Sequence, residues 1–229
     1  MNKNATDKEK ERLIREFETM KKLSSPFIVK VYKMNYEKME YTMEYMDDTL
    51  NNFIKKYNNS LDLGRRINLI NQILKGFKYL NQENILHRDI SFNNILLKFY
   101  KDGTIITKLS DFGLVKLEES TLTDPNSDCK GSLNDQKLKD IGFDKYDVTY
   151  EMYALTRLIV FILTGKSTFA KIVDKDILGF AIKGTSDIRE ERYKNIDQLT
   201  EEIRKLTLKL RKKLNINFFK IINFFKIYP

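Results

Sequence analysis

The sequence predicts an α+β fold, mainly helical, with a few antiparallel strands. Three observations carry that prediction. Leu63, Ile67, Ile70, Leu74 and Phe77 recur at helical spacing, and Tyr150 to Leu163 is apolar nearly all round. Phe27 to Tyr36 and Lys38 to Tyr45 are β-rich runs on either side of a polar Asn35–Lys38 turn, and Asp102-Gly103 marks a second hairpin. The 229 residues, 41% hydrophobic and 32% charged, suit one globular domain or two small lobes sharing a cleft.

The densest chemistry lies in I-L-H-R-D-I-S-F-N-N-I-L-L, Ile85 to Leu97, where Asp89 precedes Asn94 by five residues. D-F-G follows at Asp111, Phe112 and Gly113. Phosphoryl transfer needs one carboxylate to orient and deprotonate a hydroxyl nucleophile. It also needs oxygen ligands for the Mg²⁺ that neutralises charge on the transferring phosphate. The two motifs, in this order, resemble the catalytic and metal-binding loops of eukaryotic-type protein kinases. The resemblance implies that Asp89 is the base, that Asn94 and Asp111 hold Mg²⁺, and that ATP is the phosphoryl donor. It gives His87, the only histidine, a packing and hydrogen-bonding role, so His87 is set aside as a base. Arg88 keeps two readings. One is a partner for a phosphate on Ser120, Thr121, Thr123, Ser127 or Ser132; the other is a balance for nearby carboxylates.

In chain order, Lys8 to Leu23 reads as a helix through Leu13, Phe17 and Met20, stopped by Ser24-Ser25-Pro26. R-E-F-E-T-M-K-K-L-S-S-P-F-I-V resembles the helix C region of the kinase small lobe. There the acid, here Glu16, pairs with a lysine that holds the nucleotide phosphates; on the residues alone Glu16 is one of several acids on a charged helix. M-E-Y-T-M-E-Y-M resembles the last small-lobe strand entering the hinge. It implies that Met43 guards the back of an adenine pocket and that Glu44 and Met46 offer backbone groups to the adenine edge, although Met43 also fits ordinary core. Asp47 to Ile54 reads as a short helix with Asp48 or Thr49 as its N-cap.

Leu63 to Leu80, the clearest helix, resembles the long large-lobe helix that leads into the catalytic loop. The strand, turn and strand after Asn94 return Asp111 to its side. Glu118 to Lys139 is polar, with Pro125 and Gly131, and reads as a segment ordered by substrate or phosphate. Tyr150 to Leu163 reads as a buried helix ended by Thr164-Gly165 and resembles the central large-lobe helix. Ile196 to Leu210 is amphipathic through Ile196, Leu199, Ile203, Leu206 and Leu210. The resemblance covers about Lys8 to Leu206. It divides the chain into a partial small lobe (1–43), a large lobe (44–210) and a basic, aromatic tail (211–229).

From Arg204 onward there are eight Lys or Arg residues and no acid, so most of the net charge of +9 sits there. A nucleic-acid surface over the whole body is therefore not indicated. The tail, with Lys212 and Lys213 before its aromatic run, suits an anionic membrane surface or docking onto the protein's own large lobe. Cys129 alone cannot close an internal disulfide, which fits a reducing compartment, and the N-terminal residues lack the apolar core of a secretory signal. The expected location is cytoplasmic. No uninterrupted apolar run reaches membrane-spanning length.

Several positions depart from the family pattern. All nine glycines lie at or after Gly64, so no glycine-rich loop and no strand-three lysine precede Glu16, and the sequence reads as truncated within the small lobe. Ser91 stands where serine/threonine kinases usually carry a lysine that contacts the transferring phosphate, and Phe92 replaces a common proline. Glu151 occupies the place of a buried aspartate that braces the catalytic loop. No A-P-E closes the activation segment, although Lys130-Gly131-Ser132 resembles its entry. The expected function is transfer of the γ-phosphoryl of Mg-ATP to serine or threonine hydroxyls of a protein substrate. The alternatives are a catalytically impaired pseudokinase and a membrane-associated interaction module.

Overall fold

The computed structural model describes residues 6–112, 116–117 and 133–227. Helix α1 (Asp7–Lys22) opens on a capping box: the Thr6 hydroxyl accepts the Glu9 N–H, and the Glu9 carboxylate accepts the Thr6 N–H. Its apolar face buries Phe17 and Met20, and Phe17 meets the Tyr41 ring at 5.7 Å. Tyr41 belongs to a hairpin of β1 (Val31–Asn35) and β2 (Glu40–Met43), whose turn is held by Asn35 Oδ1 accepting the Lys38 N–H.

The first β-rich run is shorter than its composition suggests, for a physical reason. Residues 27–29 bond to a different strand: Leu109 N–H donates to Phe27 O at 2.8 Å and Val29 N–H to Leu109 O at 2.9 Å. That strand, β6 (Ile105–Leu109), pairs with β5 (Ile95–Phe99) across the predicted Asp102-Gly103 turn, where Gly103 takes a positive φ of 84°. Two-residue β3 (Asp48–Thr49) completes the sheet β3-β5-β6. Thr49 then N-caps α2 (Leu50–Tyr57) by accepting the Asn52 N–H.

Helix α3 (Leu63–Gln82) is capped by Asp62, which accepts the Arg65 N–H at 2.8 Å. It buries Ile67, Ile70, Leu74 and Phe77. At Gly76 the helix comes so close to the sheet that a Cβ would sit 3.0 Å from Leu109 Cδ1. Gln72 fixes the same strand, accepting the Thr107 N–H at 2.8 Å and donating to Ile105 O at 2.9 Å. Strand β4 (Ile85–Leu86) follows α3 and pairs with β7 (Lys116–Leu117). The short α4 (Leu138–Ile141) then leads to α5 (Val148–Thr164).

Helix α5 is the core of the larger half, burying Tyr150, Leu155, Leu158, Ile159 and Ile162. The stretch Val148–Lys171 is long and apolar enough for a membrane span by length and composition alone, although Glu151 and Arg157 interrupt its apolar run; 67% of its apolar window is buried inside the fold. Helix α6 (Lys175–Gly184) packs against α5. The last helix, α7 (Ile196–Ile227), runs 32 residues without a break. The expected end at Leu210 therefore lies inside a helix, since no proline or glycine intervenes between Leu210 and Ile227. The start of the basic tail docks on the body: Lys213 Nζ bridges Asp174 at 2.7 Å and Asp176 at 2.6 Å.

Gly165 ends α5 at a φ of 72°, and a Cβ there would overlap the side chain of Asn58. Asn58 in turn accepts from the buried Arg66, which also donates to Ile162 O. Gly165→Ala is expected to destabilise the fold by about 1–3 kcal/mol, combining backbone strain with overpacking. Chemical denaturation measures this, and Gly103→Ala, where φ is positive but the space open, is expected to cost less.

Candidate functional site

The site grows from residues 87–94. Their backbone is held from below by Glu151, projecting from α5. One carboxylate oxygen accepts the His87 N–H at 2.8 Å, and the other accepts the Tyr146 hydroxyl at 2.9 Å and, more distantly, the Arg88 N–H. Glu151 is 3% exposed, so burial pushes its carboxyl up, against the opposing pull of these donors. The longer acid thus reaches the loop from the place where an aspartate was expected.

His87 is a wedge between Phe77, at 5.9 Å, and Phe112, at 4.9 Å. Its Nε2 lies 3.0 Å from Ser110 O, an acceptor, so Nε2 carries the hydrogen, and Nδ1 faces the Asp89 N–H. Both ring nitrogens are engaged, which agrees with a packing role. Arg88 has a φ of 68°. Its side chain turns inward, donating to Phe143 O at 2.5 Å and lying 4.1 Å from the Phe143 ring. In this arrangement a carbonyl and an aromatic ring take the guanidinium, and the charges of Glu151 and Asp144 act on it as well, in line with the balancing role; the phosphate acceptors of the other reading lie outside the described residues.

Asp89, Asn94 and Asp111 come together. Asn94 Nδ2 donates to Asp89 O at 2.9 Å. The Asn94 carbonyl accepts both the N–H (2.9 Å) and the hydroxyl (3.1 Å) of Ser110, so the residue preceding Asp111 is tied to Asn94. Asp111 itself adopts a φ of 63°, backbone strain of the kind that collects at functional sites. Asp89 is buried, and burial first, then the charge of Asp111, pushes its carboxyl up. Glu16 joins this group from α1. Its carboxylate accepts the Tyr41 hydroxyl at 2.7 Å, and the Phe112 backbone also draws its pKa down. Burial raises its pKa, and Asp111 adds to the rise.

Ser91 serves the loop internally, its hydroxyl accepting the Asn94 N–H at 3.2 Å. Phe92, in the place of the common proline, stacks on Phe161 of α5 at 4.0 Å. Met43, Glu44 and Met46 line an open cavity of about 380 Å³ with Tyr45, Asp48, Thr49 and Leu96. Met43 is 45% exposed, so it is a wall of this cavity and not ordinary core. The Glu44 N–H is committed to Lys30 O at 2.8 Å, which leaves its carbonyl as the backbone group available to a base. Its carboxylate pairs with Lys108 at 2.6 Å.

The donor set at Asn94 and Asp111 fits Mg²⁺. With Asn94 Nδ2 bonded to Asp89 O, the amide oxygen is the end left for a cation, and it is a hard donor like the Asp111 carboxylate. Among the described residues no three His, Cys, Asp or Glu side chains form a metal cage. Residues missed by sequence reasoning include Tyr41, Lys108 and the buried Asp135–Arg192 pair at 2.5 Å. Only Lys108, three residues before Asp111, carried any signal, as a charge in an apolar strand. The candidate phosphate acceptors from Ser120 to Ser132, together with Gly113, Cys129 and the Lys130-Gly131-Ser132 entry, lie outside the described residues.

A family model described as the protein kinase domain matches residues 1–217. The chain is 36% identical over 106 residues (45% of its length) to the probable serine/threonine-protein kinase zyg-1 of Caenorhabditis briggsae. It is 35% identical over 164 residues (67%) to the LRR receptor-like serine/threonine-protein kinase FEI 2 of Arabidopsis thaliana. Over 216 residues (90%) it is 26% identical to calcium-dependent protein kinase 4 of Plasmodium falciparum. The matches span 15%, 26% and 38% of those relatives' own lengths.

Glu151 yields a pH prediction. Its folded pKa lies above the ordinary 4.5, so its contribution to stability is fully present below that value and is lost as pH rises through the folded one. Wild-type stability should fall with pH over this window, while Glu151→Gln, with nothing to titrate there, should not share that component. Urea unfolding of both proteins across the acid-to-neutral range checks this; parallel pH profiles would refute it.

Proposed function

The chain belongs to the protein kinase family, and from that premise we propose that it transfers the γ-phosphoryl of ATP to serine or threonine hydroxyls of a protein substrate. The observation that carries the reading is the hydrogen bonding that links Asn94 to Asp89 O and to Ser110, the residue before Asp111. Asp89 accepts the proton of the incoming hydroxyl as its oxygen bonds to the γ-phosphorus and the bond from that phosphorus to the β–γ bridging oxygen breaks. The upward push on the Asp89 carboxyl makes it a stronger base than a solvated aspartate. Asn94 and Asp111 would hold Mg²⁺, which when bound supplies charge neutralisation for the phosphates. The adenine edge meets the Glu44 carbonyl and Met46 in the cavity beside Leu96. The serine/threonine preference rests on the names of the relatives and on nothing at Ser91, whose hydroxyl is occupied within the loop.

Asp89→Asn and Asp111→Ala should each lower phosphoryl transfer by about 10²–10⁴-fold. Incorporation of label from γ-labelled ATP into a generic protein substrate measures this, with phosphoamino-acid analysis of the product. Equal background from wild type and Asp111→Ala would remove turnover and leave a nucleotide-binding protein. Label on tyrosine alone would overturn the serine/threonine assignment.

A further inference from the structure

We propose that Lys108 is a positioning residue for the nucleotide base, its ion pair with Glu44 setting the spacing between the two sides of the base cavity. The inference rests on the reading of that cavity as the base site of an ATP-dependent phosphotransferase and adds a residue to it. Strand β2 ends at Met43 and β3 begins at Asp48, so the cavity wall between them, residues 44–47, belongs to no strand. Its backbone is bonded at its two ends, where the Glu44 N–H donates to Lys30 O and the Asp47 N–H to Leu97 O, each at 2.8 Å. Tyr45, between those ends, is exposed. A segment without a ladder of its own takes its position from side-chain contacts.

At the first end those contacts converge on Glu44. Lys108 Nζ reaches both of its carboxylate oxygens, at 2.6 and 2.8 Å, and the Lys30 N–H donates to one of them at 2.7 Å. The Lys108 and Glu44 side chains are only 14% and 19% exposed, so salt and solvent screen the pair weakly. At the other end the Asp47 carboxylate accepts the Phe99 N–H at 2.8 Å and pairs with Lys98 at 3.3 Å. Both anchors therefore lead to the β5–β6 hairpin. In its register Lys108 lies directly opposite Leu96, a pair that shares one face of the sheet, and Leu96 lines the cavity together with the wall. The distance from wall to hairpin is thus the room that a base meets, and the Lys108–Glu44 pair spans it.

The test measures adenosine binding to the full chain by calorimetry and stability by urea unfolding. The proteins are wild type, Lys108→Met, Lys108→Arg, Lys108→Met combined with Glu44→Gln, and Lys78→Met. The last breaks an exposed ion pair with Asp197 and controls for net charge. Lys108→Met should weaken adenosine on the order of tenfold, since the wall loses its set position, and Lys108→Arg should recover most of the loss. The double variant should regain stability over Lys108→Met, because no largely buried carboxylate is left unpaired. It should still bind adenosine as weakly, because the tie to the hairpin is still missing. Should Lys108→Met not fold, the double variant carries the comparison with wild type by itself. Adenosine affinity unchanged in Lys108→Met or in the double variant, affinity that returns together with stability, or an equal effect of Lys78→Met would each overturn the proposal while leaving the kinase reading in place. A wild type that binds no adenosine removes both the proposal and the base site. The expected adenosine pattern in a wild type that transfers no phosphate upholds the proposal and removes only turnover.

Discussion

A single buried carboxylate, Glu151, governs the geometry of the site. It stands on α5, the most deeply buried helix of the larger half, and takes donors from His87 and Arg88 of the loop and from Tyr146. A charge or near-charge in that position is tolerated because every direction around it offers a donor. The loop is bound at the point where Arg88 is forced into the left-handed region. The strain is held by a rigid core element, the condition under which such conformations persist.

From that anchor the remaining supports follow in sequence. His87, fixed by Glu151 through its backbone, wedges between Phe77 of α3 and Phe112 and reaches Ser110 O. Ser110 is bonded back to Asn94, and Asn94 to Asp89. The backbone that carries Asp89 and Asp111 is thus tied by hydrogen bonds to Asn94, Ser110 and His87. This is the support a catalytic group needs if its position is to be kept within a fraction of an ångström.

The approach from the N-terminal half is electrostatic as well as steric. Helix α1 brings Glu16 to Phe112, with the neutral Tyr41 hydroxyl as its close partner. A neutral donor satisfies the carboxylate without cancelling its charge. On the far side, the Lys108–Glu44 pair, both partners largely buried, joins the strand that leads to Asp111 to the wall of the base cavity. Membership of the protein kinase family accounts for the general plan. The aromatic seat of Arg88, the glutamate at position 151 and the phenylalanine stack at position 92 are how this chain carries it out.

The helices were legible because their cues are local: the apolar stripe of α3, the Asp62 and Thr49 caps and the Gly165 stop are each written within a turn or two. The loop and D-F-G were legible as linear motifs. Distant partnerships were not, because a residue's partner across the fold leaves no mark at its own position. Nothing near Phe27 announces that its carbonyl will accept Leu109, and nothing in H-R-D tells whether Arg88 faces solvent or Phe143. The single unbroken α7 was missed because the apolar stripe that marks it ends at Leu210, while no proline or glycine beyond that point stops the helix. The sequence by itself determined which chemical groups this protein carries and in what order. Only the tertiary structure decided which of them meet, because that depends on packing between elements far apart in the chain.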